Sequence, residues 1–152
     1  MKTNHLMITL ALLAALLLAG CSSRAWVGEL QTESQTVELG DAESVRVEIE
    51  FGAGVLEIAG GTSELLEADF TYNVAKLKPE VEYKNHTLIV NQPEAEGLPA
   101  LQGITEFQNE WDLRLNDEVP VDLRVNMGGG TSDLNLAGLS LTGVDVTNVL
   151  IW

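Results

Sequence analysis

Two acidic side chains, Glu110 and Asp112, have the type and spacing that could support acid–base chemistry. Paired carboxylates serve as general acid and general base in hydrolysis. Both residues alternate with apolar residues in the segment "NEWDLRLN", so we expect them to share one face of a β-strand. This pair supports the weaker of two functional hypotheses, a carbohydrate-binding or hydrolytic protein.

Other polar residues offer less for catalysis. His86 is the only histidine after residue 5, and it has no cysteine near it to complete a zinc site, so a surface position is expected. Ser132 and Asp133 follow a glycine run, but the sequence around them lacks the helix that a nucleophile elbow requires. The same glycine run has no lysine of a phosphate-binding loop. We therefore expect no catalytic residue.

Oxygen ligands and aromatic rings give two further possibilities. The segment Asn116–Glu118, together with Asp122, could place several oxygen atoms around calcium, although a solvated hairpin turn is the expected role. Trp26, Trp111 and Tyr72 could stack on sugar rings, but a tryptophan within a strand usually belongs to the core. We expect no metal and no cofactor.

The single cysteine, Cys21, follows a short apolar leader. Residues 6–18 form an apolar run after Lys2, which is shorter than the about 20 residues of a spanning helix and is typical of a helical signal peptide. The sequence "LAGC" resembles the lipobox of bacterial lipoproteins. The resemblance implies cleavage between Gly20 and Cys21 and acylation of Cys21, so that membrane lipid is the expected partner.

Charge limits the other partners. The chain has 8 basic and 23 acidic residues and a net charge of −15. Such a surface repels phosphate backbones, so nucleic acid is not expected as a partner.

The chain after the leader has the period-2 alternation of half-buried strands. The longest example is 119–127, in which five apolar residues alternate with polar ones. The sequence predicts an all-β fold. We expect a signal peptide at 1–20, a polar tether at 21–36 and a β domain at 37–152, with two related halves at about 37–92 and 109–152 joined by a loop.

The two halves share a repeated segment. "VRVEIEFGAGVLEIAG", from Val45, aligns with "VDLRVNMGGGTSDLNLAG", from Val121, if two residues are inserted after the second glycine run. The glycines are expected to form tight corners with positive φ, after which the next strand again faces the core. The predicted corner glycines are Gly52, Gly54, Gly128, Gly129 and Gly130.

Short strands separated by glycine are typical of a β-solenoid, or β-helix, and a β-sandwich would give a similar pattern. Periodicity alone leaves both open.

Residues 109–148, with "NEWDLRL" and "GGGTSDL", resemble the toast-rack N-terminal domain family of bacterial envelope proteins. That family is related to cell-wall-active-antibiotic response proteins and to proposed adhesins of the β-helix type. The resemblance implies a β-helical surface or periplasmic module, active in adhesion or envelope-stress sensing, with no catalytic residues to transfer.

The chain ends in the apolar sequence "VLIW" at 149–152, where the family pattern continues. This ending suggests a truncated product, although a buried Trp152 or a dimerising edge would also explain it. The stronger functional hypothesis is a non-enzymatic lipoprotein, held at the cell membrane or outer membrane and facing the periplasm or exterior. Its expected partner is an unknown envelope protein or glycan.

Overall fold

A computed structural model describes residues 27–94 and 106–148. The predicted signal peptide, Cys21, Trp26 and the apolar ending at 149–152 lie outside these residues. Ten strands and one short 3-10 helix, Ala75–Leu77, make up the described chain. The strands are β1 (Gln31–Val37), β2 (Val45–Phe51), β3 (Gly54–Thr62), β4 (Leu66–Tyr72), β5 (Glu80–Lys84), β6 (Thr87–Asn91), β7 (Asn109–Asn116), β8 (Val121–Met127), β9 (Gly130–Asn135) and β10 (Leu141–Asn148).

The strands form two five-stranded mixed sheets. The first sheet has the order β1-β4-β7-β3-β9, and the second has the order β10-β8-β2-β6-β5. Strands β2, β3, β6, β7, β8, β9 and β10 pair in parallel, whereas β1, β4 and β5 add antiparallel pairs at one end of the stack. The all-β prediction is confirmed.

The parallel strands are stacked as the rungs of a solenoid. Strand β2 lies in the second sheet, and the chain then turns at Gly52 and Ala53 to enter the first sheet as β3. Strand β8 turns at Gly128 and Gly129 to become β9 in the same way. Because β2 pairs with β8 and β3 pairs with β9, the two repeated segments are adjacent rungs. The solenoid and sandwich alternatives therefore each describe part of the fold, since the rungs run through two sheets that share one core.

The register between these rungs is constant along the whole repeat. Val45 pairs with Val121 before the corner and Ile58 pairs with Leu134 after it, with the same separation along the chain in both pairs. The predicted two-residue insertion directly after the second glycine corner is therefore wrong. Sequence alignment misplaced it because a shift of two residues keeps every apolar side chain on the same face of a strand. The extra residues follow Asn135, where this pairing ends.

The core lies between the two sheets and is made by the apolar half of each alternating strand. Its largest side chain is Trp111 of β7, which is 1% exposed. The indole meets Phe51 of β2 edge-on at a centroid distance of 4.9 Å and Phe70 of β4 at 5.3 Å. Because Phe51 belongs to the second sheet and Trp111 to the first, this aromatic contact joins the two layers.

The β domain begins earlier than the sequence indicated. Residues 31–36, expected in the tether, belong to β1, which pairs antiparallel with β4 from Gln31 to Val37. Strand β1 lies at the edge of its sheet and reads "QTESQTV", so polar residues occupy both of its faces. An edge strand of this composition has no apolar alternation to detect.

Candidate functional site

The outer face of the first sheet presents a straight row of acidic side chains. Asp69, Asp112, Glu57 and Asp133 lie on four neighbouring strands, β4, β7, β3 and β9, and each is the direct register partner of the next. All four residues are exposed. We call these four residues the carboxylate row.

Few cations compensate this row. Adjacent strands are about 4.8 Å apart, and like charges directly opposite one another on a sheet destabilise it. Within the described residues, the ion pairs that reach the row come from Arg114, which lies 3.7 Å from Asp69 and 3.8 Å from the neighbouring Glu67. Ser34 of β1 also donates a hydrogen bond to Asp69 at 2.5 Å. The other three carboxylates form a concentrated negative surface.

Glu110 and Asp112 lie on the same outer face of β7, as the sequence predicted. They border a shallow groove of about 220 Å³ with Val55 and Thr71, a volume below the about 300 Å³ at which ligand pockets begin. Trp111 offers no stacking surface there, because it is buried and its indole N–H donates to Asn109 at 3.0 Å. The groove therefore lacks the water-excluding walls that acid–base catalysis uses.

The carboxylate row was only partly visible in the sequence. Alternation places Asp69, Asp112 and Glu57 on outer faces, but no local pattern shows which distant strands are neighbours. The repeat carried one usable signal, since an alignment of the two segments without the insertion pairs Glu57 with Asp133.

The corner glycines have separate structural roles. Gly54 and Gly130 have φ of +131° and +102°, which residues with a Cβ rarely adopt. A Cβ on Gly54 would collide with the carbonyl of Asn109, and a Cβ on Gly130 would collide with the carbonyl of Gly54. The absence of a side chain at these two positions lets the backbones of neighbouring rungs approach closely.

The other three glycines do not share this conformation. A Cβ on Gly128 would come within 2.5 Å of the carbonyl oxygen of Gly52, and one on Gly52 would meet the side chain of Gln92. Gly129 faces open space. The predicted positive φ thus applies to two of the five corner glycines, and close approach of neighbouring groups explains two more.

A buried amide network fastens the corner to β7. Asn109, 2% exposed, donates to the carbonyl of Ala53 at 2.6 Å and to Gln92 Oε1 at 2.8 Å, and it accepts from Trp111. Gln92 Oε1 also accepts the backbone N–H of Gly52 at 3.1 Å. The network satisfies polar groups that the turn would otherwise bury without partners.

A charged cluster lies at the opposite edge of the first sheet. Lys78 Nζ lies 2.7 Å from Glu33 Oε2, and the phenol of Tyr72 donates to the same oxygen at 3.4 Å. The hydrogen bond from Lys78 lowers the pKa of Glu33, and the same bond raises the pKa of Lys78. Burial raises the pKa of the Tyr72 hydroxyl.

The remaining candidates are dispersed. His86 occupies the β5–β6 turn with φ of +60°, and its carbonyl accepts the backbone N–H of Arg46 at 3.0 Å. Asn116 is buried rather than solvated, and its side-chain oxygen accepts hydrogen bonds from the backbone N–H groups of Glu118 and Val119. Asp122 instead pairs with Arg46 at 3.1 Å.

The structure thus does not gather the side chains that could have formed a calcium site. No three His, Cys, Asp or Glu side chains in the described parts of the chain are placed to hold a metal ion. Ser132 and Asp133 are exposed on β9, at the edge of the first sheet.

Residues 26–149 match the sequence family described as the N-terminal domain of toast_rack, DUF2154. The chain belongs to this family. The match extends well beyond the segment 109–148 that carries the resemblance in sequence, and it begins before β1, in the segment expected to be a tether. The toast-rack domain therefore includes both rungs and the antiparallel strands beside them.

One solved structure gives the same picture of the toast-rack domain. A proposed cell adhesion protein from Clostridium sporogenes is similar over 79% of this chain and 57% of its own, with 27% identity and a TM-score of 0.73. A proposed adhesin from Bacteroides fragilis aligns over 79% of this chain and 58% of its own at 12% identity, with a TM-score of 0.44. The chain spans less than two thirds of either structure.

No curated protein matches the chain. In residues 27–94 and 106–148, no helix has the length and apolar content needed to cross a bilayer.

Proposed function

We propose that this toast-rack protein is a lipid-anchored, non-enzymatic module of the cell envelope that makes adhesive contacts through the outer face of its first sheet. The observation that carries the proposal is the carboxylate row, a strongly charged surface on the outside of a sheet whose inner face packs into the hydrophobic core. A flat, solvated array of like charges suits multivalent contact with a cationic surface. Such an open array does not suit catalysis, which is favoured in a site that excludes water.

Two further observations support an envelope role. The similar Clostridium sporogenes structure is that of a proposed cell adhesion protein. The sequence "LAGC" supplies an acylation site at Cys21, and β1 begins a short distance after it, at Gln31. An anchor at that distance would hold the domain close to the membrane that carries it. The contacted component is proposed to be a cationic envelope protein or glycan.

Binding of membrane vesicles that carry the protein to envelope material tests this function. The full chain, expressed in a bacterium that processes lipoproteins, is reconstituted into vesicles, and vesicle binding to isolated envelope material is measured. The double variant Glu57→Gln/Asp112→Asn neutralises the centre of the carboxylate row. The control Glu80→Gln/Glu82→Gln removes the same charge from β5 of the second sheet, where both residues are exposed.

The proposal expects the first variant to reduce binding at least about tenfold and the control to leave it unchanged. Equal binding by both variants would show that the carboxylate row makes no contact. Turnover of a glycan by the wild type, abolished by Asp112→Ala, would show that the protein is an enzyme.

A further inference from the structure

The amino ends of β2, β6, β8 and β10 border a pocket on the second sheet. The loop before β2, the β5–β6 turn, the end of the β7–β8 turn and the start of β10 all contribute residues to this open pocket, whose volume is about 280 Å³. That volume is close to the about 300 Å³ at which ligand pockets begin, so the pocket has room for one small polar molecule.

Backbone hydrogen bonds hold the segments around this pocket against one another. The N–H of Val45 donates to the carbonyl of Pro120 at 2.9 Å. The N–H of Arg46 donates to the carbonyl of His86 at 3.0 Å, and Val121, at the start of β8, donates to the carbonyl of the residue before β10 at 2.8 Å. Because the rungs hold these turns in place, little ordering is needed when a ligand binds.

Two departures from regular strand geometry bring residues to the pocket. Asn85 and His86 form the β5–β6 turn with φ of +50° and +60°, and glycine is the favoured residue at the second of these positions. The pairing of β10 with β8 shifts between Leu141 and Gly143, which makes Thr142 an extra residue. Both His86 and Thr142 line the pocket. Turn residues of this kind and β-bulges are concentrated at functional sites.

The outward row of residues at the pocket differs in charge from the other outward rows. It crosses β5, β6, β2 and β8 through four consecutive register partners, Lys84, Thr87, Arg46 and Asp122. Two basic residues stand against one acidic residue here, whereas acidic residues equal or outnumber basic ones in every other outward row of the described strands. On a chain of net charge −15, this row offers a singly charged anion the most favourable position on either outer face.

The ion pair in the pocket supplies both donors and acceptors. Arg46 Nε donates to Asp122 Oδ2 at 3.1 Å, and the Arg46 side chain is still 49% exposed. Its other N–H groups have the geometry to hold a carboxylate. Asp122 Oδ1 lies beside Gly143, where a Cβ would come within 2.7 Å of it, so β10 passes this oxygen without a side chain. A simple anion is repelled by Asp122, whereas an anion with hydroxyl groups can donate to it.

We propose that this pocket binds a uronate, a sugar that carries a carboxylate. The sugar carboxylate binds Arg46 and His86, and the hydroxyl groups of the ring bind Asp122, Thr87 and Thr142. One negative charge on the ligand matches the excess of one basic residue in the row. The pocket lies on the second sheet, so the proposal does not depend on the adhesive contacts proposed for the carboxylate row of the first sheet.

Probes that carry one or both parts of the ligand test the proposal. The isotope-labelled full chain in detergent is titrated with glucuronate and galacturonate, with glucose, which lacks the carboxylate, and with acetate, which lacks the hydroxyl groups. The proposal expects the better uronate to bind at least about tenfold more tightly than glucose or acetate. The amide resonances of residues 85–87 and 142–143 should shift most. Absence of uronate binding, binding no tighter than that of acetate, or shifts centred elsewhere would overturn the proposal.

A matched pair of variants tests the role of Arg46. Arg46→Gln should weaken uronate binding at least about tenfold, because the carboxylate loses its paired donors. Arg124→Gln, the same charge change on the exposed outer face of β8, should leave uronate binding unchanged. Amide spectra that match the wild type away from the pocket confirm that each variant is folded. Equal loss with both variants would show general charge attraction and overturn the proposal.

A variant of Asp122 tests the contact with the sugar hydroxyl groups. Asp122→Ala removes a hydroxyl acceptor and a negative charge together, so it should weaken uronate binding and strengthen acetate binding. Stronger binding of both probes would show that no hydroxyl group contacts Asp122 and would overturn the proposal. The Glu57→Gln/Asp112→Asn variant of the carboxylate row should bind the uronate as the wild type does, so the two proposals fail separately.

Discussion

Gly130 of β9 lies directly against the carbonyl of Gly54 in β3, at the same point of two stacked corners. A methyl group on Gly130 would overlap that carbonyl oxygen. Two glycines of the run 128–130, Gly128 and Gly130, are therefore packing requirements between rungs.

Substitutions in this run should show that the fold requires glycine at position 130 but not at position 129. Gly130→Ala should lower the free energy of unfolding by at least about 1–3 kcal/mol, since φ is +102° and the added Cβ has no room. Gly129→Ala, one residue away and facing open space, should change it by less than about 0.5 kcal/mol. Urea denaturation measures both. Equal effects would mean that the corners do not stack as described.

The carboxylate row should reduce stability. Asp112 lies between Asp69 and Glu57, so Asp112→Asn should raise the free energy of unfolding by about 0.2–1 kcal/mol at low salt. The gain should shrink in high salt, which screens exposed charges. Glu82→Gln, opposite Ile89 in the second sheet, provides the control. If Asp112→Asn instead lowered the free energy of unfolding, Asp112 would make a net attractive interaction, which would contradict the proposed repulsion within the row.

Removal of the Asn109 side chain, the centre of the amide network at the corner, should lower the free energy of unfolding. Asn109→Ala would leave the Trp111 indole N–H and the carbonyl of Ala53 without this partner, at a cost of about 1–3 kcal/mol in unfolding free energy. Asn126→Ala removes an exposed side chain bonded to Glu50 and should cost less than about 0.5 kcal/mol. Thermal and urea unfolding of the two variants should rank them in this order. The reverse ranking would contradict the network.

Acid should weaken the contact between Glu33 and Lys78. Because the pKa of Glu33 is lowered in the folded protein, the contact stabilises the fold fully above the ordinary value of 4.5, and this contribution is lost as pH falls through the lowered pKa. Lys78→Gln should therefore lose less stability than the wild type between neutral pH and pH values below 4.5. Parallel urea titrations across this range give the comparison. Identical pH profiles would show that the contact contributes nothing.

The lipid anchor can be tested by mass spectrometry. Protein extracted from membranes should begin at Cys21 and carry a diacylglyceryl group. Cys21→Ala should yield no such species, while Ser22→Ala should be processed normally. An unmodified Cys21, or cleavage at another bond, would refute the anchoring part of the proposed function.

The sequence predicted most of the fold because alternating side chains report directly on burial. Strand β8, with apolar residues at every second position, is the clearest case. Strand β1 escaped prediction because an edge strand needs no apolar face. The predicted register of the repeat was wrong by two residues after the corner, because pairing depends on partners that are distant in the chain, as Glu57 is from Asp133. The carboxylate row escaped for the same reason, since it forms only when β4, β7, β3 and β9 become neighbours.

The most direct test of the central claim is the salt dependence of binding to envelope material by vesicles that carry the full chain. Binding by the wild type should fall several-fold between about 0.05 M and 0.5 M salt, because exposed charges are screened over this range. The Glu57→Gln/Asp112→Asn variant should bind weakly at both concentrations. Strong binding by this variant, or wild-type binding that salt does not change, would contradict an adhesive role for the carboxylate row.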